Sequence, residues 1–200
     1  MIVQQLRADE RVLTSSSGAA FAAAARDRQR LIRLAGPAVL RLDPADRDDL
    51  LARRDLVRLR AKTPPRKTPL RLGPPTPAAK LLGWYREAQQ RFGVRWQLLA
   101  AINFVESAFG RARSASVAGA QGPMQFEPAT WRAYGLGGDV HDPHDAILGA
   151  AHYLAANGAR TDERDALFHY NPSSLYVDAV LHYAHRMTHV PSAFYEYYAR

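Results

Sequence analysis

The sequence predicts an all-α protein in three parts: a basic helical N-terminal segment at 1–60, a Pro-rich linker at 61–75 and a compact helical domain at 76–200. Three observations carry this. After the linker the start and stop punctuation is nearly all helical. Around 98–109 apolar residues recur at intervals of three and four, while no alternating run of useful length marks a strand. Between the two helical parts, AKTPPRKTPLRLGPPTP at 61–77 sets prolines among Lys and Arg, the composition of an extended, semi-rigid connection.

Residues 1–60 are helical in pattern, with Asp43 and Pro44 as cap and first-turn pair ahead of ADRDDLLARRDLVRLR. Their Arg-rich faces read as solvated surface, with polyanion contact as the alternative, and they hold no evident chemistry. Thr76 and Pro77 open AAKLLGWYREAQQRF, and Gly93 closes it. The next helix carries Leu98, Leu99, Ile102, Val105 and Phe109 on one stripe, with Gly110 as its expected C-cap. A long glycine-dotted loop follows at 110–131, with a short helix starting at Pro128. Asp142 and Pro143 then open HDAILGAAHYLAAN, which Gly158 ends. Thr161 starts a short helix, and PSSLYVDAVLHYAHRM forms another after Asn171.

Glu106 breaks two rules. It lies four residues after Ile102 and seven after Leu99, so it shares the buried stripe, and it sits in the last turn, where the helix dipole favours cations. Either Arg111 or Arg113 folds back to satisfy it, or burial raises its pKa toward that of a general acid working near neutrality. The loop at 110–131 is either the wall of a cleft, with Gln125 for hydrogen bonding and Met124 and Phe126 for apolar contact, or a plain surface loop. In YNPSSLYVDAV, Tyr170, Asn171 and Tyr176 suit a sugar-binding cleft, although both tyrosines also fit a core.

Other clusters read more plainly. In HDPHD at 141–145, Asp142, Pro143 and Asp145 are a helix start rather than metal ligands. His182, His185 and His189 share a helix face but lack the two-His-around-Glu pattern of a zinc protease. GLGG follows no strand, so it is not read as a nucleotide loop, and no nucleophile-elbow serine motif occurs. A hydrophobic fraction of 47% makes a folded protein the expectation, and a charge of +8 calls for a polyanionic neighbour. Zero cysteines exclude disulfides, thiolate catalysis and Cys-ligated zinc. No apolar run approaches the roughly 18 residues of a membrane span. GAAFAAAA is short and lacks the flanks of a secretory signal, so the chain is read as either cytoplasmic or trimmed.

Taken in order, Glu106–Ser107, then SVAGAQGPMQFEPATW, then Tyr170–Asn171 and YVDAVL from Tyr176 resemble the lytic transglycosylases of bacterial cell-wall turnover, nearest to a domain from actinobacteria. The likeness spans about 76–190. It departs in GPMQ, where many relatives have Leu before Met, and in the short step from Tyr170–Asn171 to Tyr176. The resemblance implies a lysozyme-like fold and a cleft for peptidoglycan glycan strands. It makes Glu106 the catalytic acid, then base, with Tyr176 beside it, and Ser107, Ser116, Met124, Gln125, Tyr170 and Asn171 in contact with substrate. It further implies 1,6-anhydro products, no metal or organic cofactor and no nucleic-acid partner. A monomer is expected, exported to the cell wall or a periplasm-like space, with other cell-wall proteins as candidate partners. The rivals are a muramidase, a non-catalytic glycan-binding module and a basic nucleic-acid binder built on residues 1–75. Glu127 is expected to be solvated; facing the cleft, it would direct water and favour the muramidase.

Overall fold

The computed structural model describes residues 44–65, 69–190 and 192–200, together with the single positions 23, 26, 27 and 30. The expectations for the remainder of 1–43, Asp43 as a cap among them, lie outside the described residues. Eight helices run in order among those described: α1 Pro44–Lys62, α2 Ala78–Phe92, α3 Trp96–Ser107, α4 Pro128–Tyr134, α5 Pro143–Ala156, α6 Glu163–Tyr170, α7 Ser174–His189 and α8 Ala193–Tyr198. The described residues hold no strand, only two isolated bridges.

α3 is the central helix because its sequence is apolar on every side. Leu98, Leu99, Ala100, Ala101 and Ile102 are all buried, and the helix packs against α2, α5, α7 and α8. The ends of the neighbouring helices follow their cap residues. Asp142 accepts from the His144 and Asp145 backbone N–H groups at 2.8 and 3.1 Å, so HDPHD is a helix start. Asp162 does the same for Asp165 at 3.0 Å. Gly93 closes α2 in the left-handed conformation, φ 73°.

The end of α3 differs from expectation. The helix stops at Ser107, and Ala108 rather than Gly110 is its left-handed cap, with Ala108, Phe109 and Gly110 at φ 50°, 62° and 81° in succession. Two of these are non-glycine residues in a disfavoured region, which a helix end tolerates only where surrounding contacts enforce it. The enforcing contact is Phe109. It is 1% exposed and meets Phe104 at 5.4 Å and Phe194 at 5.6 Å between ring centroids. Its spacing from Ile102 reports burial correctly while giving the wrong backbone.

α8, which the apolar spacing did not announce, puts Phe194 and Tyr197 into the same aromatic cluster. α1 docks along α7, burying Asp49, Ala52 and Asp55. Asp49 accepts from Arg53 at 2.9 Å and Arg200 at 2.7 Å, and Asp48 meets the Nδ1 atoms of His182 and His185 at 2.9 and 2.6 Å. The three α7 histidines therefore serve docking and helix contacts, His189 Nδ1 lying 2.9 Å from the His185 carbonyl. Among the described residues no group of three or more His, Asp or Glu is gathered to hold a metal. The described part of the Pro-rich stretch is extended but not loose: Gly73 N–H donates to Arg111 O and Arg113 N–H to Arg71 O, both at 2.9 Å. Prolines lack an N–H, so Arg71 and Gly73 supply this pairing and 69–77 lies as a strap against the domain.

Candidate active site

A cleft of about 460 Å3 opens over the end of α3, with Glu106 on its floor. Glu106 is the penultimate residue of α3 and is only partly exposed. Burial pushes its carboxyl from the ordinary 4.5 up to about 7, and the Tyr176 hydroxyl opposes this by favouring the charged form. Neither nearby arginine neutralises it. Arg111 donates to the Ala108 and Tyr198 carbonyls, and Arg113 to the Pro74 carbonyl. An unpaired carboxyl of this kind is half protonated near neutrality, as a group that must first give and then take a proton requires.

Tyr176, from the first turn of α7, is 1% exposed and lies behind the carboxyl rather than in the cleft wall. Its hydroxyl influences Glu106 yet makes no hydrogen bond of ordinary geometry within the protein.

The wall opposite is the loop at 110–131. Ser116 holds a tight turn, its N–H donating to Ala120 O at 2.8 Å and its Oγ accepting from Ala120 N–H at 2.9 Å. Gln121 and Phe126 exchange both backbone hydrogen bonds at 2.8 Å, closing a turn through Gly122, Pro123, Met124 and Gln125. Gln125 sits at φ 52°, its amide anchored to Gly122 O at 2.8 Å. The turn can lie so close to its neighbours only because residue 122 is glycine: a Cβ there would stand 1.9 Å from Val140 O.

A buried polar chain fixes this turn to α3. Tyr85 donates to Asn103 Oδ1 at 2.6 Å, Asn103 Nδ2 to Pro123 O at 2.8 Å, and Ser107 Oγ to the same oxygen at 2.6 Å. The Ser107 hydroxyl is buried and engaged with the loop and the Gly110 N–H rather than lining the cleft. Met124 is also fully buried and packs into the core instead of the cleft, while its carbonyl accepts from the Tyr170 hydroxyl at 2.6 Å. Neither Ser107 nor Met124 lines the cleft. Ser116, Gln125, Tyr170 and Asn171 do line the cleft with Glu106.

Phe126, expected as an apolar contact, and two residues that spacing did not single out, Tyr153 and His169, complete the walls. Tyr153, Phe126 and His169 face the same space, Tyr153 meeting Tyr170 edge-on at 5.6 Å and donating to His169 O at 2.9 Å. Tyr153 lies among the small apolar residues of α5, where its periodicity signals only core. Glu127 is exposed as expected, but it also lines the cleft; it stands at the N-cap of α4 without a side-chain cap bond.

A helical domain with one proton-sharing carboxyl on the floor of a polar, aromatic-walled cleft has the equipment of the enzymes that act on glycan chains. The family model for the transglycosylase SLT domain matches residues 84–185, 102 of the 200 in the chain, and the chain belongs to that family. Its all-α structure is the lysozyme-like fold of this domain, and the family acts on peptidoglycan, outside the cytoplasm. Comparison with curated proteins and with solved structures gave no match.

Proposed function

We propose that the protein is an exported peptidoglycan lytic transglycosylase with Glu106 as its acid and base. The protonated carboxyl gives its proton to the oxygen of the β-1,4 bond after N-acetylmuramic acid, and the substrate's own N-acetyl group assists at the anomeric carbon as that bond breaks. The Glu106 carboxylate then takes the proton of the C6 hydroxyl of the same sugar, whose oxygen closes onto the anomeric carbon. The product ends in a 1,6-anhydro ring, and Glu106 regains its proton. The observation that carries this reading is a carboxyl with no ion pair, at the cleft floor, held near pKa 7 by burial. Ser116, Gln125, Tyr170 and Asn171 are the proposed substrate contacts, with Tyr176 positioning the acid.

Mass spectrometry of soluble products from purified peptidoglycan tests it. The parent is expected to release 1,6-anhydro muropeptides, and Glu106→Gln to lose about 10²–10⁴-fold in rate while still binding the glycan, the range for removing a general acid. A muramidase is the second reading, favoured by Glu127 lining the same cleft. It predicts reducing ends that disappear in Glu127→Gln. Binding without products from the parent would indicate a non-catalytic module.

A further inference from the structure

A second cavity, of about 250 Å3, lies where α1 meets the end of α3. Arg53, Leu56, Val57 and Arg60 line it from α1, at the spacing of a single helical stripe. Val105 and Tyr183 close its apolar side, and Arg200 adds a third guanidinium. Val57 remains 65% exposed there, although it is a large apolar side chain on a docked helix. Among the described residues no acidic side chain lines the cavity.

Charge and shape together limit the occupant. Arg53 and Arg200 both donate to the one buried carboxylate of Asp49, and Arg60 makes no ion pair among the described residues. Three guanidinium groups against one carboxylate leave two positive charges in excess, facing an apolar floor. A ligand that fits is apolar along its body and carries carboxylates, as a short acidic peptide does. We propose that this cavity is a second substrate site, binding the carboxylate-bearing peptide attached to a peptidoglycan strand, apart from the cleft that holds the glycan. The proposal rests on peptidoglycan being the substrate. Val105 turns to this cavity and Glu106, the next residue, to the cleft.

The test is calorimetry on the full chain carrying Glu106→Gln, which removes turnover, titrated with the tripeptide L-alanyl-γ-D-glutamyl-L-lysine and separately with peptide-free glycan oligomers. The tripeptide is expected to bind. Arg60→Glu should weaken it about ten-fold, the scale of one charge-assisted contact, and amidation of the peptide carboxylates should do the same. Val57→Ser should weaken it as well. None of these changes is expected to alter glycan binding. Arg60 and Val57 are exposed, so thermal melts of both variants should match the parent. Equal tripeptide affinity with and without Arg60→Glu overturns the proposal, as does inorganic polyphosphate binding as tightly as the peptide at equal ionic strength. Absent peptide binding with intact glycan binding sinks this site alone, whereas absent glycan binding with intact peptide binding counts against the cleft reading.

Discussion

Glu106 holds its proton more tightly in the folded chain than at the ordinary 4.5, and this has consequences for both rate and stability. The group favours the folded state fully below about pH 4.5 and withdraws that support as pH rises through about 7. Glu106→Gln is therefore expected to melt above the parent at pH 8, by on the order of 2 kcal/mol, with the gap vanishing near pH 4; thermal melts across pH read it directly. Activity falls in the same direction. The first step needs the protonated acid, so kcat/KM should fall as pH climbs past about 7. Tyr176 lowers the carboxyl's pKa, so Tyr176→Phe should shift that limb to higher pH. A pH–rate profile unmoved by Tyr176→Phe would show that the hydroxyl does not tune the acid.

The turn at 121–126 is the element on which the cleft wall depends. Gly122→Ala adds a Cβ that must enter Val140 O and forces φ 73° on a residue with a side chain. The expected cost is roughly 2–4 kcal/mol, with a loss of activity that chemical denaturation and product release would show together. Helices whose boundaries rest on local chemistry were legible in the sequence: Asp142–Pro143 opening α5 and Gly93 ending α2 act within a few residues. The end of α3 was not, because aromatic packing by Phe109 overrides the glycine signal at 110. Glu106 was legible as an anomaly, being a carboxyl on an apolar stripe. The inward turn of Ser107 and Met124 was not legible: a motif quoted as a string does not say which of its residues face the cleft and which turn inward to hold the loop. Tyr153 and His169 join the cleft only through tertiary packing, and no spacing within 145–170 announces that.

At the scale of the molecule, α1 belongs to the structural core as much as any helix of the matched domain. Asp49 is buried against Arg53, Arg200 and Arg186; burial alone would raise its pKa, but these cations hold it below the ordinary carboxylate range. Asp48 is likewise lowered, against burial, by His182 and His185. Depressed carboxylates stabilise above their unfolded pKa and lose that contribution as pH falls through the folded one. α1 is therefore expected to loosen below about pH 3.8, which limited proteolysis at 53–60 would detect. Asp49→Asn should cost about 3–5 kcal/mol at neutral pH, the penalty for stranding buried charge. The pairing of Asp49 with Arg200 joins residues 151 positions apart in the chain. During synthesis α1 precedes this partner by most of the matched domain, and its buried carboxylate cannot meet it until residue 200 has been added. Docking of α1 is then completed only after translation has passed α8, and a chain arrested at residue 190 should leave α1 more open to protease than one extending through residue 200.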